Sequence, residues 1–350
     1  MTTSASSIRP SPAAPGARAP SAATCRVAPE LTPSSPFIRR FAAWASDRFP
    51  PAVGLLAAAL FFDAVLIGSM DAGSRPLQVG AADLAGFVAF WSYLLALRIY
   101  DEHKDAEADR LAHPERLTVT GVMPLAQLRW VLVAALLYQG AVSLWFDRGV
   151  GAVTIAWLAA TAWSLLMLRE FFVPGWLRSH PVLYALSHSV AMPLMVLWAV
   201  EMGTHGPVRP LSAAARTGIL GSWVTWSFAT LALAASLLFE LSRKMRAPED
   251  ERDLVDSYSR LLGTGRSAAI GCLLVGIMVT ATLGISTTAG GTSAALATVL
   301  AAGCAPFALF ARRPTRRRAT TIEVASGLGS LALLVAVAVT LCMHGGLTWA

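Results

Sequence analysis

Acidic side chains are concentrated in two short stretches of this sequence. Six lie between residues 101 and 115 and six between 240 and 256, so the two stretches hold 12 of the 21 Asp and Glu residues. Asp101, Asp105 and Asp109 of the first stretch would share one face of a helix. Like charges at that spacing repel by about a few tenths of a kcal/mol per pair. Mg²⁺ would relieve the repulsion, because it takes oxygen ligands and is usually held by one or two carboxylates plus a substrate phosphate.

The second stretch mixes acidic and basic residues. It reads FELSRKMRAPEDERDLVDSYSRLLG, from Phe239 to Gly263. Carboxylates interspersed with ammonium and guanidinium groups suit a diphosphate with bridging metal ions. Each stretch taken alone is equally compatible with a solvated, salt-bridged loop. The functional hypothesis therefore depends on the two stretches occurring together.

The composition is that of a membrane protein. Of 350 residues, 55% are hydrophobic and only 14% are charged, against about 25% in an ordinary soluble domain. This excludes a soluble globular enzyme, a disordered protein and a secreted disulfide scaffold. The four cysteines are scattered and predict neither a disulfide framework nor a zinc site. The net charge is +7, but the basic residues flank apolar blocks, so we expect no nucleic-acid partner.

Nine apolar runs can each cross a bilayer, which requires about 20 residues. They span residues 52–70, 82–100, 124–145, 150–168, 182–201, 218–240, 268–286, 293–311 and 323–343. The sequence therefore predicts an all-α, polytopic membrane protein with nine transmembrane helices. Residues 1–36, rich in Pro, Ala and Ser, are predicted to be a disordered tail, and residues 37–350 a single transmembrane domain. Residues 37–49 predict a short interfacial helix.

Basic residues predict the orientation. With a cytoplasmic N-terminus, only Arg75, Arg148, Arg209 and Arg216 of the 28 Lys and Arg residues would lie outside. Both acidic stretches then lie on the cytoplasmic face. We expect a multi-pass protein of a bacterial inner membrane.

The first acidic stretch resembles the signature of the UbiA superfamily of intramembrane prenyltransferases, NDxxDxxxD followed by DRxxxPxRPLxxG. The matching residues, in register without a gap, are Asp101, Glu102, Asp105, Asp109, Arg110, Pro114, Arg116 and Gly121. Asp101, Glu102 and Leu117 replace the family's Asn, Asp and Pro. Nine spans with acidic loops after the second and sixth are also the family's architecture. The second motif departs further: aligning DxxxD places Arg246 at its first Asp and Asp250 at its second, which leaves Glu240 or Glu249 to supply the missing ligand.

The resemblance implies Mg²⁺-dependent transfer of a prenyl group from a prenyl diphosphate to a lipophilic acceptor, aromatic or a quinone precursor, within the membrane. It implies catalytic and metal-binding roles for Asp105, Asp109 and Asp250, with Asp101, Glu102, Glu240 and Glu249 as further metal ligands. It implies diphosphate binding by Arg116, Arg169, Arg178, Lys244 and Arg246. Asp63 and His188 lie inside spans, where they would either contact the acceptor and take its proton or form satisfied polar contacts between helices.

Two alternatives stay open. A membrane terpene cyclase would use the same fold, with the substrate's own double bond attacking the carbocation. A non-catalytic transporter is less favoured, because transporters place charged sites near the midplane and these acids lie near the surface. The sequence leaves the acceptor, the prenyl chain length and the oligomeric state open.

Overall fold

The chain forms a bundle of long apolar helices with short helices and turns at one end. A computed structural model describes residues 31–74, 76–206, 222–251, 257–288 and 294–349. Most of the predicted N-terminal tail, residues 1–30, lies outside the described residues. The helices are α1 (Phe37–Arg48), α2 (Pro51–Asp71), α3 (Ala81–Lys104), α4 (Ala106–Ala112), α5 (Leu125–Asp147), α6 (Ala152–Leu168), α7 (Pro174–Arg178), α8 (Pro181–Ser189), α9 (Ala191–His205), α10 (Trp223–Arg243), α11 (Tyr258–Leu262), α12 (Thr264–Thr288), α13 (Ala294–Arg312) and α14 (Arg316–Gly345). Two short strands are β1 (Leu77–Val79) and β2 (Leu347–Trp349).

The described helices make this an integral, multi-pass membrane protein. Seven segments are long and apolar enough to cross a bilayer. Six are single helices, α2, α3, α5, α10, α12 and α14, and the seventh is formed by α8 and α9 together. The fourth predicted run forms α6, an apolar helix of 17 residues, and the eighth forms α13. The all-α membrane fold is confirmed, whereas the count of nine spans is not.

The helices are arranged as a closed ring. Helix α3 packs on α5, α5 on α6, α6 on α9, α9 on α10, α10 on α12, α12 on α13, and α13 on α14. Helix α14 then packs on α2, which itself packs on α3. An additional extensive contact between α2 and α9 crosses the ring. Neighbours in sequence are thus mostly neighbours in space, as expected when spans are joined by short connections.

Helices α2 and α9 approach closely because glycines face each other. A Cβ atom on Gly68 would lie 2.1 Å from the carbonyl oxygen of Val200, and one on Gly203 would lie 2.3 Å from that of Val65. In a membrane, where lipid is as apolar as a leucine side chain, such small-residue contacts are a main source of helix association. This contact fixes the centre of the bundle.

Polar side chains join helices at several depths. Tyr93 of α3 donates to the carbonyl oxygen of Ala160 at 2.7 Å, and Trp198 of α9 donates to Ser143 of α5 at 3.1 Å. Strands β1 and β2 pair in parallel, Leu77 opposite Leu347, and so fasten the end of α14 beside α2. The strand pair closes the ring at the end opposite the acidic stretches.

The fifth predicted run forms two helices rather than one. Pro193 lies in the first turn of α9, where it cannot donate a backbone hydrogen bond, and the fifth predicted run is divided at Val190 into α8 and α9.

Helix α1 forms where an interfacial helix was predicted. Arg40 of α1 is buried and donates to the carbonyl oxygens of Ser35 and Val122, which attaches α1 to the connection after α4.

Candidate active site

A cavity of about 460 Å³ lies at one end of the bundle, which we call the motif end. Three connections meet there: residues 104–125 after α3, residues 168–181 after α6, and the described residues 243–251 and 257–264 after α10. The cavity is lined by Lys104, Asp105, Glu107, Ala108, Glu170, Arg178, Pro181, Tyr184, Lys244, Ser257, Tyr258 and Leu261. Its size is within the range of small-molecule sites, about 300–1,000 Å³. Parts of both acidic stretches therefore face one cavity.

The cationic side chains of this cavity are held in place by neighbours. Lys104 donates to the hydroxyl of Tyr184 at 2.9 Å, Lys244 lies 2.6 Å from a Glu240 oxygen, and Arg178 lies 3.1 Å from Oε1 of Glu170. Together with Asp105, Glu107 and Glu170, these three cations give the lining a formal charge of zero. The cavity is thus highly charged but balanced.

The first acidic stretch keeps its helical spacing across a break in the helix. Helix α3 ends at Lys104, yet the amide of Asp105 donates to the carbonyl of Asp101 at 2.9 Å and that of Asp109 to the carbonyl of Asp105 at 2.8 Å. Burial raises the pKa of Asp105, and the charges of Asp101, Asp109 and Glu170 raise it further, against the lowering effect of Lys104. Asp105 lines the cavity and has no side-chain hydrogen bond or ion pair among the described residues.

Two other carboxylates of this stretch are engaged elsewhere. Glu102, with 1% of its side chain exposed, accepts from Arg48 and Arg98 at 2.8 Å each and from Thr118 at 3.2 Å. Its arrangement is that of an anchor between α1 and α3. The metal role suggested for it stays a prediction, and its oxygens are already occupied.

Asp109 is buried and forms an ion pair with Arg116. The sequence assigned one of these residues to the metal and the other to the diphosphate, but here each neutralises the other. Asp101 lies at the edge of the stretch with 48% of its side chain exposed, 3.7 Å from Lys104 and 3.9 Å from Arg98. Of the predicted metal ligands in this stretch, Asp105 is the one in the cavity lining.

The second acidic stretch is divided between two cavities. Lys244 lines the first, whereas Arg246, Glu249 and Asp250 line a separate one of about 460 Å³ beside the start of α14. There Glu249 accepts from the backbone amide of Arg316 at 3.2 Å, and Asp250 lies 3.9 Å from the side-chain Nε of the same arginine. Asp105 and Asp250 thus do not line one cavity. The acids at 253 and 256 lie outside the described residues.

Tyr258 and Lys244 line the first cavity on the α10 side, and Glu240 lies behind Lys244. Glu240 is paired with Lys244 and with Arg243. Burial and the charge of Glu240 raise the pKa of Tyr258 to about 12, so its hydroxyl stays protonated and able to donate at neutral pH.

The connection after α6 contributes a residue that the sequence analysis missed. Of its two predicted arginines, Arg178 lines the cavity and Arg169 is exposed outside the lining. Between them Glu170 is buried, with 4% exposure, and its carboxylate raises the pKa of Arg178. The sequence did carry a signal for Glu170. It is an acidic residue in a connection that lies at the same end of the bundle as both acidic stretches.

The two ionisable residues predicted inside spans lie in different places. His188 of α8 stacks on Tyr184, with ring centroids 4.0 Å apart, and its Nε2 has no partner among the described residues. It therefore lies directly behind a cavity wall. Asp63 of α2 is 1% exposed, its Oδ2 also lacks a partner among the described residues, and it is not part of the cavity lining.

The oxygen donors of the first cavity fit a magnesium ion bound together with a phosphorylated substrate. Asp105 presents a carboxylate without an ion pair among the described residues, and Glu170 presents a buried oxygen, Oε2, without a hydrogen-bond partner there. No group of three or more His, Cys, Asp or Glu side chains is positioned to hold a metal within the described part of the chain. Mg²⁺ does not require one, because substrate phosphates and water complete its coordination.

Comparison with known proteins gives matches in structure alone. Scans against protein-family models and curated proteins gave no match. A solved structure described as digeranylgeranylglyceryl phosphate synthase in membranes aligns with 87% of this chain and 99% of its own, at TM-score 0.57 and 13% identity. The apo structure of a UbiA homolog from Aeropyrum pernix K1 aligns with 81% of this chain and 96% of its own, at TM-score 0.57 and 15% identity. The chain has a UbiA-like fold.

The UbiA-like fold and the signature-like residues are separate observations. The fold assignment rests on the path of the backbone, since the sequence identities of 13% and 15% are too low for a comparison of side chains. The signature match rests on the residue types between Asp101 and Gly121. In this UbiA-like bundle, those residues begin in the last turn of α3, and Asp105 among them lines the cavity.

Proposed function

We propose that this protein is an intramembrane prenyltransferase that, with Mg²⁺, moves a prenyl group from a prenyl diphosphate to a lipophilic acceptor. The observation that carries the proposal is the cavity at the motif end. It combines carboxylates for a divalent cation with three cations for a diphosphate, in a UbiA-like fold.

The charge of the cavity supports a requirement for a divalent cation. The lining side chains sum to zero, while a diphosphate brings several negative charges. Side chains alone would leave those charges uncompensated in a partly buried site, where uncompensated charge is costly. Mg²⁺, when bound, supplies the missing positive charge and stabilises the negative charge that develops on the leaving group.

The residues of the cavity suggest how each phase of the reaction is assisted. Lys104, Arg178 and Lys244 bind phosphate oxygens by charge-assisted hydrogen bonds. The bond between the allylic carbon and the diphosphate oxygen breaks, and its electron pair leaves with the diphosphate. The acceptor then forms the new bond to that carbon and loses a proton. Tyr184 holds Lys104 in position, so the ammonium group is preorganised for the leaving oxygen.

The acceptor's proton needs a base near the cavity. His188 lies behind Tyr184, and its Nε2 has no hydrogen-bond partner among the described residues. We propose His188 as the residue that orients the acceptor or takes its proton. Asp63 lies outside the cavity lining, and for it we favour a structural role within the bundle.

The orientation predicted from the basic residues places this cavity on the cytoplasmic side of a bacterial inner membrane, where a soluble diphosphate product can leave. The isoprenoid chain would remain in the apolar region of the bundle or in lipid.

The test is incubation of the purified protein with Mg²⁺ and prenyl diphosphates of C10 to C40, alone and with lipophilic acceptors. Pyrophosphate release is measured together with mass spectrometry of the lipid products. We expect Mg²⁺-dependent release with acceptor-linked products. A cyclic product formed without acceptor would instead indicate the terpene cyclase, and absence of release with every substrate would refute both.

A further inference from the structure

Glu170 is a buried carboxylate with one oxygen in use and one without a partner. Its side chain is 5% exposed, and Oε1 accepts from Nη2 of Arg178 at 3.1 Å. Oε2 is buried without a hydrogen-bond partner among the described residues, although Glu170 lines the cavity. Leaving a buried charged oxygen unsatisfied costs more than leaving a neutral group unsatisfied, so the site favours a positive group that is not part of the described side chains.

The backbone that carries Glu170 has an uncommon conformation. Glu170, Phe171 and Phe172 have φ angles of 45°, 53° and 60°, in the left-handed region. This region is unfavourable for L-amino acids other than glycine, because Cβ comes too close to the following carbonyl oxygen. Phe171 is held by edge contacts with Trp163 and His188, at centroid distances of 5.2 and 6.2 Å. The turn is thus held by packing while the carboxylate remains buried against the cavity.

The cations of the cavity do not satisfy the free oxygen. Lys104 is bonded to Tyr184, Lys244 is paired with Glu240, and Arg178 uses its contact on Oε1. The remaining oxygens of the lining include Oε2 of Glu170 and the carboxylate of Asp105. These two groups come from different connections, and their like charges act on each other across the cavity.

We propose that Glu170 is a ligand of the catalytic divalent cation and binds it together with Asp105. The inference rests on the proposed prenyltransferase function and deepens it. It assigns to Glu170, in the connection after α6, the metal-binding role that the family resemblance implies for Asp250. Asp250 lines the other cavity and lies beside Arg316, which makes it a poor partner for Asp105. A hard cation with two carboxylates and substrate phosphates is the usual arrangement for Mg²⁺.

The variants for the test are Glu170→Gln, Glu170→Asp and, as a matched control, Asp250→Asn. Gln keeps the size of Glu and an oxygen that can accept from Arg178, while it removes the charge. Asp keeps the negative charge, but its side chain is shorter by one methylene group, so the carboxylate lies farther from the cavity. Asp250→Asn makes the same chemical change in the second cavity. Retained folding is checked by size-exclusion chromatography and thermal unfolding.

The measurement is Mn²⁺ binding to the full-length protein in detergent, followed by electron paramagnetic resonance with saturating geranylgeranyl thiolodiphosphate. This analogue ionises slowly, so the readout is binding rather than turnover. We expect Glu170→Gln to weaken Mn²⁺ binding by about tenfold or more, the lower end of the losses seen on disturbing metal-site shells. Glu170→Asp should lie between Gln and wild type, and Asp250→Asn should bind as wild type does.

Two results would overturn the assignment. One is wild-type Mn²⁺ affinity in Glu170→Gln, or in Glu170→Asp if the Gln variant does not fold. The other is weakened binding of the analogue with unchanged Mn²⁺ affinity, which would make Glu170 a positioning residue for Arg178. If the wild-type protein itself binds no Mn²⁺ with the analogue, the proposed function fails as well. Failure of the Glu170 inference alone leaves wild-type binding intact.

Discussion

Replacing Glu102 by Gln separates two roles that the sequence could not distinguish. The resemblance implied a metal ligand, whereas the structure shows a buried anion that accepts from two guanidinium groups. Oε1 lies 2.8 Å from both Nε of Arg48 and Nη2 of Arg98, and Oε2 accepts from Thr118 at 3.2 Å. Gln preserves the shape and one acceptor oxygen but removes the charge that both arginines share.

The expected loss of stability follows from these contacts. Hydrogen bonds to charged groups contribute about 1.5–3 kcal/mol each, and removing one partner of a buried ion pair costs about 3–5 kcal/mol. The Arg48 and Arg98 side chains are 20% and 23% exposed, so water compensates part of the loss. The Gln oxygen still accepts one bond. We therefore expect Glu102→Gln to lower the free energy of unfolding by about 3 kcal/mol, at the lower end of the range for buried pairs.

The assay is thermal unfolding in detergent with EDTA, followed by Mg²⁺-dependent pyrophosphate release below the unfolding temperature. Asp101→Asn is the control, because Asp101 is 48% exposed and its ion pairs are 3.7 and 3.9 Å long. Such a pair contributes about 0–1 kcal/mol. If Glu102→Gln unfolded like the wild type but required much more Mg²⁺, the anchor role would be refuted and the metal role supported.

Three further predictions concern the same bundle. The pKa of Asp105 is higher in the folded protein than in the unfolded chain, so the ionised carboxylate destabilises the metal-free fold. Stability is therefore lost as the pH rises from about 4, the pKa of an unfolded Asp, through the raised pKa of the folded state. Asp105→Asn should therefore stabilise the protein in EDTA at pH 7, with a gain that disappears below pH 4, while abolishing pyrophosphate release; unfolding temperatures lower than wild type at pH 7 would contradict this. Asp109→Asn and Arg116→Gln should each destabilise, and the double variant should cost less than their sum by about 1.5–3 kcal/mol in a double-mutant cycle; additive losses would exclude the pairing. Gly68→Ala and Gly203→Ala should each lower stability by about 1–3 kcal/mol or more, because the new methyl group meets a backbone carbonyl; unchanged unfolding temperatures would show that α2 and α9 are not packed this closely.

The membrane fold could be predicted from the sequence because it depends on local composition. Apolar runs of sufficient length specify spans. The division of the fifth run into α8 and α9 near Pro193 was not predicted. The signature-like spacing also predicted that Asp101, Asp105 and Asp109 follow one helical path, and the backbone hydrogen bonds agree.

The partners of individual carboxylates could not be predicted, because they depend on packing between distant segments. Glu102 is bound by Arg48, which lies 54 residues earlier in the chain. Spacing alone gives no information on such a contact. Glu170 was missed for a different reason: the left-handed backbone of residues 170–172 directs its carboxylate, and Phe-Phe after Glu carries no glycine to indicate such a turn.

The packing of α2 has a consequence for biosynthesis. Helix α2 is synthesised before α9 and α14, yet it packs against both of them. Until then its buried Asp63 meets hydrocarbon, which costs about 2.5–3.5 kcal/mol at a helix centre. We therefore expect α2 to stay beside the translocation machinery or an insertase until α14 has been synthesised. Ribosome stalling before α14 should leave an intermediate that membrane quality-control proteases recognise.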